Sequence, residues 1–243
     1  MSSPILITGA GQRIGLALAE HLLSQGQEII VTYRTRHAAI DVLAGKGAIC
    51  IHADFNSDQA IGHFIEELKA HTNQLKAIIH NASSWDCEAN NHDYADLFDN
   101  MMRIHAKAPY LINLAASDLL LHYQQNSGQA ADIIHLTDYV VEKGSPKHLA
   151  YAASKAALDN LTKSFAAKFA PAIKVNAIAP SLIIFNEHDS DEYKAKTLKK
   201  SLMGIEPGCA EIINSVKLIL SSPYIPGRSI PVEGGRHLTY KNT

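Results

Sequence analysis

Hydrophobic residues fall along this chain in two alternating patterns. Longer segments have apolar residues every three or four positions, as amphipathic helices do: residues 14–25, 57–71, 97–123, 148–170 and 208–221. Short isoleucine-rich runs separate them and lack polar alternation, as strands buried on both faces do: residues 4–8, 28–33, 47–53, 76–81, 131–137, 173–179 and 229–232. Strands that alternate with helices predict βαβ units, and therefore an α/β fold with a parallel sheet covered on both faces.

Two segments, 82–94 and 180–207, fit neither pattern. Each follows a predicted strand, and ligands of open α/β sheets bind at the carboxyl ends of strands. No internal repeat, low-complexity stretch or Pro/Gly-rich linker divides the 243 residues. We therefore predict a single domain over residues 1–243, with a substrate loop at about 181–207.

Composition narrows the class of protein. A formal net charge of −2 gives no electrostatic reason to expect nucleic acid or an anionic membrane as partner. The apolar runs are too short to cross a bilayer, and the N-terminus lacks the regions of a signal peptide. Cys50, Cys87 and Cys209 are scattered and odd in number, which argues against a disulfide framework. We predict a cytoplasmic protein.

A glycine-rich turn follows the first predicted strand. The sequence TGAGQRIG (8–15) contains Gly9, Gly11 and Gly15 immediately before a helix. Such a turn lets backbone N–H groups approach a pyrophosphate at the helix N-terminus, so it predicts a dinucleotide. Glycine that serves only tight packing is the alternative.

The second strand ends without the acid that would bind the ribose of NAD(H). It carries Arg34 and Arg36, and arginine can pair with a 2′-phosphate, which favours NADP(H) unless these arginines are only solvated. Asp54, just past the third strand, could accept a hydrogen bond from the adenine amine. A helix N-cap role for Asp54 or Ser57 is the other possibility.

Residues 138–155 carry the candidate chemistry. Tyr151 and Lys155 stand one helical turn apart, where an ammonium close to the phenol is expected to lower its pKa and make it a proton donor. Asp138 stands thirteen residues before Tyr151. An ionised carboxylate cannot donate to the alkoxide of a ketone reduction, but it can accept from a phenol or from ring N–H groups. Trp85, the only tryptophan, could stack on a flat ring or merely fill space.

Several motifs together resemble the short-chain dehydrogenase/reductase family from end to end. They are the Thr8–Gly15 turn, HNAS (80–83), the Tyr151/Lys155 pair, VNAIAP (175–180) and VEGG (232–235). The resemblance implies a single-domain, Rossmann-type, doubly wound sheet of seven parallel strands. It also implies a nicotinamide cofactor and a homotetramer.

Departures from the common family pattern are more specific. Arg13 replaces a glycine of the turn, Asp138 replaces the usual serine, and NASSW (81–85) replaces Asn-Ala-Gly. These three changes resemble the pteridine reductase branch. That branch implies NADPH-dependent reduction of 7,8-dihydromonapterin to the tetrahydro form, with dihydrofolate or other dihydropterins as secondary substrates. His105, where an asparagine is common, has no counterpart in this pattern.

The same resemblance assigns roles to individual residues. Catalytic roles fall to Asp138, Tyr151 and Lys155. Cofactor contacts fall to Gly9, Arg13, Ile14, Tyr33, Arg34, Thr35, Asp54, Asn81, Ala82, Ser83, Tyr151, Lys155, Pro180, Ser181 and Leu182. Substrate contacts fall to Arg13, Ser83, Trp85, Asp138 and Tyr151. The thirteen histidines form no His-x-x-x-His pair or Cys/His cluster, so no metal is predicted.

Two other functions remain open at this point. The first is reduction of a small ketone, with Asp138 as a tolerated variant of serine. The second is a non-catalytic NADP(H)-binding sensor, which would have no need to retain both Tyr151 and Lys155. The first differs from pterin reduction in substrate, and the second in having no turnover at all.

Overall fold

Seven strands form one sheet in a computed structural model that describes residues 3–239. They are β1 (Ile5–Ile7), β2 (Ile29–Tyr33), β3 (Ile49–His52), β4 (Ala77–His80), β5 (Ala131–Leu136), β6 (Ile173–Pro180) and β7 (Ser229–Val232). Their order is β3-β2-β1-β4-β5-β6-β7, and every pairing is parallel. Each predicted strand is found, with ends shifted by two residues at most. That residues 1–243 form a single domain stays a prediction, and residues 1–2 and 240–243 lie outside the described part.

Helices connect successive strands and cover the sheet. They are α1 (Arg13–Ser24), α2 (Ala38–Gly45), α3 (Asp58–His71), α4 (Tyr94–Met102), α5 (Ala108–Ala115), α6 (Ser117–Ser127), α7 (Val140–Lys143), α8 (Leu149–Phe169), α9 (Asp191–Leu198) and α10 (Ala210–Ser221). The sequence pattern missed α2, α7 and α9. Helix α9 lies within the predicted substrate loop and has no apolar stripe. Ser190 caps it by accepting from the Tyr193 N–H, and Asp191 and Glu192 in the first turn suit the helix dipole.

The helix predicted over residues 97–123 is interrupted. Helix α4 ends at Met102, a π-helical turn covers Arg103–Lys107, and α5 follows. Pro109 explains the break, because it has no N–H to donate to the His105 carbonyl as an α-helical residue would. The prediction of one continuous helix was therefore wrong.

Alternate residues of strands β1 to β6 enter different cores. Ile5 and Ile7 of β1 pack with α1, α2 and α10, whereas Leu6 packs with α3, α5 and α8 on the other face. All three side chains are fully buried. The predicted doubly wound α/β fold is thus confirmed. Within residues 3–239, no helix is long and apolar enough to cross a membrane.

The strand order reverses at the centre of the sheet. Strand β1 lies between β2 and β4. The sheet therefore continues through β2 and β3 on one side of β1, and through β4 to β7 on the other side. Such a reversal opens a crevice at the carboxyl ends of the strands, where ligands of this architecture bind.

Candidate active site

The glycine turn after β1 is built for close backbone approach. Gly9 has a φ of +70°, and a Cβ there would lie 2.7 Å from the Ala82 Cα. A Cβ on Gly15 would collide with the Gly9 carbonyl oxygen and the Asn81 side chain. Only glycine therefore fits these two positions, because the turn packs directly against the loop after β4.

Hydrogen bonds lock this turn to the neighbouring strand ends. The Thr8 hydroxyl accepts from the backbone N–H groups of Asn81 and Ala82, both at 3.0 Å. The Asn81 amide donates to the Gly9 carbonyl at 2.8 Å, and the Gly9 N–H donates to the Thr32 hydroxyl at 3.0 Å. The loops after β1 and β4 thus form one rigid rim.

A cavity at the ends of β1 to β4 brings most of the predicted cofactor residues together. Its lining includes Gly9, Arg13, Ile14, Tyr33, Arg34, Thr35, Asp54, Asn81, Ala82 and Ser83. His37, Phe55 and Ile104 also line it, and they were not predicted because no sequence motif marks them.

The two arginines after β2 differ in their partners. The Arg36 guanidinium pairs with Asp41 at 2.5 Å and donates to the Tyr33 hydroxyl at 3.2 Å. Arg34 is exposed and lines the cavity, and its guanidinium makes no hydrogen bond or ion pair within residues 3–239. No acid stands next to these arginines in the sequence, but Asp41, five residues after Arg36, neutralises Arg36. Of these two arginines, Arg34 is the one left for an anionic ligand.

The two readings of Asp54 can also be compared with the structure. Ser57 caps α3 by accepting from the Ala60 N–H at 3.1 Å, so Asp54 is not the cap. Asp54 accepts from the Asn56 N–H at 3.2 Å and lines the cavity.

Arg13 connects the glycine turn to the predicted substrate loop. It has a φ of +55°, which is unusual for a residue with a side chain. Its guanidinium donates to the Asn186 side chain at 2.5 Å and to the Ile184 carbonyl at 2.9 Å. One side chain therefore touches both halves of the site.

Asp138, Tyr151 and Lys155 come together at the carboxyl end of β5. The Tyr151 hydroxyl donates to the Asp138 Oδ2 at 2.9 Å, and the Val140 N–H donates to the Asp138 Oδ1 at 2.9 Å. The Lys155 Nζ lies 5.7 Å from the Tyr151 ring centroid and donates to the Leu136 carbonyl at 2.8 Å.

Burial dominates the electrostatics of this group. It raises the pKa of Asp138, although the Val140 N–H and Tyr151 oppose the shift. Burial and the nearby Asp138 hold the pKa of Tyr151 well above its usual value, and burial lowers the pKa of Lys155 to about 8. The expectation that the pKa of the phenol is lowered was wrong for this state, because burial and Asp138 raise it, while the Lys155 ammonium donates to the Leu136 carbonyl. The phenol keeps its proton and directs it at Asp138.

The segment 82–94 lies against the start of α8. The Trp85 ring is 4.7 Å from the His148 ring and is 62% exposed. The Glu88 carboxylate accepts from the N–H groups of Leu149 at 3.2 Å and Ala150 at 2.9 Å. Trp85 is therefore held near the helix that carries Tyr151, with its ring free to receive a flat ligand.

The remaining predicted cofactor residues lie after β6. The Pro180 carbonyl accepts from the Tyr139 N–H at 3.0 Å, next to Asp138. Ser181 and Leu182 line a second cavity, between the substrate loop and β7, and not the first one. There Arg236 donates to the Ser181 hydroxyl at 3.0 Å and lies 4.3 Å from the Tyr139 ring.

Comparison with known proteins decides the family. Residues 3–193 match the short chain dehydrogenase family. This chain belongs to that family. A dihydromonapterin reductase of Citrobacter koseri is 56% identical over 236 residues, and one of Escherichia coli K12 is 54% identical over 235 residues, with 97% of both chains covered in each case. The FolM alternative dihydrofolate reductase 1 of Brucella canis, solved in complex with NADP, is 26% identical, with a TM-score of 0.87 over 99% of this chain and 96% of its own.

Two residues of this short chain dehydrogenase gained significance only from the structure. Arg236 follows the VEGG motif with no sequence signal of its own, yet it reaches Ser181. His105 stands out in the sequence only as a departure from the family pattern. Its ring lies edge-on to Tyr151, with 5.3 Å between the ring centroids, and contacts Ser83.

Proposed function

We propose that this protein reduces 7,8-dihydromonapterin to 5,6,7,8-tetrahydromonapterin with NADPH, and dihydrofolate or other dihydropterins less well. The observation that carries the proposal is the hydrogen bond from Tyr151 to Asp138 at 2.9 Å. An acceptor at this place suits a nitrogen heterocycle and not the developing alkoxide of a ketone. The names of the Citrobacter koseri and Escherichia coli relatives support the same substrate.

NADPH fits the residues of the first cavity. The glycine turn lines this cavity at the N-terminus of α1, where backbone N–H groups would bind a pyrophosphate. Arg34, with Thr35 and Tyr33 beside it, would hold the 2′-phosphate, and Asp54 would accept from the adenine amine. The NADP complex of the Brucella canis protein supports this cofactor. When bound, the cofactor supplies the hydride.

The chain itself would supply the proton. Reduction of a dihydropterin C=N bond places a hydride on C6 and a proton on N5. Tyr151 and Asp138 share one hydrogen bond at a half-buried place where the pKa of each is raised, so the pair holds a proton near neutral pH. Lys155 would keep a positive charge beside the pair. Trp85 would form a wall of the pterin site.

Assembly and location are part of the same proposal. Apolar side chains stand exposed on α4, α5 and the start of α8: Tyr94, Phe98, Tyr110, Leu114 and Leu149. Exposed apolar patches mark interaction surfaces, which supports a homotetramer. The three cysteines are free, which supports a cytoplasmic protein. Reduction of dihydrofolate would connect it to one-carbon metabolism. Light scattering after size exclusion tests the assembly.

A substrate panel tests the activity. Purified protein is mixed with NADPH or NADH and with dihydromonapterin, dihydrobiopterin, dihydrofolate or small ketones, and cofactor oxidation is followed at 340 nm. We expect oxidation of NADPH with dihydropterins, fastest with dihydromonapterin. Absence of any pterin-dependent oxidation would overturn the proposal.

Asp138→Ser separates pterin reduction from ketone reduction. We expect this variant to lose pterin turnover, since serine has no carboxylate to accept from Tyr151 and from the N–H groups of a pterin ring. A rise in ketone turnover with unchanged pterin turnover would favour the ketone reductase instead.

A further inference from the structure

A buried histidine joins two sides of the candidate site. His105, in the π-helical turn between α4 and α5, is 1% exposed. Its Nε2 lies 2.9 Å from the Ser83 hydroxyl and 3.2 Å from the Ser84 backbone nitrogen. Its Nδ1 lies 2.8 Å from the hydroxyl of Ser154, which is in α8. The ring therefore bridges the loop after β4 and the helix that carries Tyr151.

The partners of His105 determine which nitrogen carries the proton. The Ser84 N–H can only donate, so Nε2 must offer a lone pair. The Ser154 hydroxyl donates its proton to the Tyr151 carbonyl at 2.7 Å, so it must accept from Nδ1. Both ends independently require the same neutral tautomer, with the proton on Nδ1. Burial, and the nearby Lys155 charge, hold the pKa of His105 well below its usual value, so this form persists at neutral pH.

The tautomer in turn orients the Ser83 hydroxyl. The single lone pair of Nε2 is shared between the Ser84 N–H at 3.2 Å and the closer Ser83 hydroxyl at 2.9 Å, so the proton of Ser83 is directed to His105 in a three-centre arrangement. The other acceptor within reach is the Ser84 carbonyl at 3.4 Å, which is also protein backbone. In either case the proton points away from the cavity that Ser83 lines, and the oxygen presents lone pairs there.

We propose that His105 is a positioning residue that fixes Ser83 as a hydrogen-bond acceptor and so selects a substrate with ring N–H donors. The inference rests on the proposed function. The site then offers two acceptors, Ser83 and Asp138, to a dihydropterin ring, which carries several N–H groups. A ketone carbonyl has only acceptor atoms at its reacting end and gains nothing from this arrangement.

Two substitutions of His105 separate positioning from packing. His105→Phe keeps a buried ring but removes both nitrogens, whereas His105→Gln retains an acceptor near the position of Nε2. We expect His105→Phe to raise the KM for the dihydropterin about tenfold, as the loss of one hydrogen bond does. We expect kcat to fall less than threefold, and His105→Gln to recover most of the KM. Equal effects of the two variants would overturn the proposal.

A double-mutant cycle tests whether His105 acts through Ser83. We expect Ser83→Ala to raise the KM about as much as His105→Phe, and the double variant to be no worse than either. Additive effects would mean that His105 does not act through Ser83. The NADPH dissociation constant and the thermal midpoint of each variant serve as controls for the cofactor site and the fold.

Nitrogen-15 NMR gives a readout that needs no activity and no folded Phe variant. In histidine-labelled wild-type protein, the His105 signals are assigned by their loss in His105→Gln. We expect a protonated Nδ1, an unprotonated Nε2 and no titration between pH 6 and 8. An Nε2-protonated or charged ring at pH 7 would overturn the inference. Absence of dihydropterin turnover by wild type would instead overturn the proposed function, and the NMR result would stand apart from it.

Discussion

Strand β5 carries a carboxylate at each end, and the two have different surroundings. At the amino end, Asp132 pairs with Lys174 at 2.5 Å, and Lys174 also donates to the Ile219 carbonyl. Beyond the carboxyl end, Asp138 accepts from a phenol, and the nearest ammonium, that of Lys155, is turned to a carbonyl instead. Asp132 is buried, whereas Asp138 is half-buried. The site beyond the carboxyl end differs because its carboxylate accepts from a phenol, which can give up its proton.

Electrostatics sharpen this contrast. Burial raises the pKa of Asp132 to about 6, with Lys174 opposing the shift, so the ion pair persists at neutral pH. Burial also raises the pKa of Asp138, but its partner Tyr151 is neutral. A closed ion pair supports the fold, whereas a shared proton can take part in chemistry.

The largest expected effect comes from breaking the second group. Tyr151→Phe removes the phenolic proton while it keeps the ring. We expect turnover of dihydropterin with NADPH to fall by roughly 10²–10⁴-fold, as loss of a general acid does. The dissociation constant of NADPH should change less than twofold. Full turnover in the variant would show that solvent or Asp138 alone supplies the proton.

Breaking the first pair should have the opposite outcome. Asp132→Ala leaves the Lys174 ammonium buried without its partner, and we expect a loss of about 3–5 kcal/mol in the free energy of unfolding. Turnover per folded molecule should stay unchanged. Denaturant titration followed by assay measures both quantities.

A double variant supplies the matched control for that pair. Replacing both charges, as Asp132→Leu with Lys174→Met, should recover most of the stability, because well-packed apolar residues can replace a buried ion pair. If the double variant is as unstable as Asp132→Ala, the ion pair stabilises the fold by more than the neutralisation of its two buried charges.

The two ends of β5 also differ in how far the sequence predicts them. Periodicity located all seven strands, because strands buried on both faces have a strong apolar signal. It missed α9, whose stability comes from a Ser190 cap and charged residues and not from an apolar face. Motifs brought Asp138, Tyr151 and Lys155 together correctly.

What the motifs could not give is the direction of each hydrogen bond. Lys155 donates to Leu136 and not toward the phenol, and this depends on where β5 ends relative to α8. Likewise, the partners of His105 lie about 20 and 49 residues away in the chain. Such contacts follow from tertiary packing, which no local pattern encodes.

The third prediction concerns the buried ammonium of Lys155. Its pKa of about 8 lies below the usual value of about 10.4 in an unfolded chain. Between these two values the unfolded chain binds more protons, so the contribution of this lysine to stability rises with pH in that window. We expect the free energy of unfolding of the cofactor-free wild type, relative to Lys155→Met, to increase by about 2 kcal/mol from pH 8 to 10.4. A difference that stays constant with pH would contradict the assignment of a desolvated ammonium.

The smallest expected effect concerns Glu88, which connects the segment that contains Trp85 to the start of α8. Glu88 caps α8 through the N–H groups of Leu149 and Ala150, and the Ala150 bond lowers the pKa of the carboxyl. Glu88→Ala should cost about 1 kcal/mol at pH 7, whereas Glu66→Ala, at an exposed site on α3, should cost almost nothing. Because the folded pKa is lowered, the contribution of Glu88 to stability is complete above its unfolded pKa of about 4.3 and is lost as the pH falls through the folded pKa.

Fluorescence of Trp85, the only tryptophan, reports on the same contact. Glu88→Ala should change the fluorescence anisotropy of Trp85. Unchanged anisotropy would mean that the His148 contact alone holds the ring. The ion pair at the amino end of β5 does not depend on a loop in this way. Asp132 and Lys174 lie in the neighbouring strands β5 and β6, and Lys174 also donates to the Ile219 carbonyl near the end of α10.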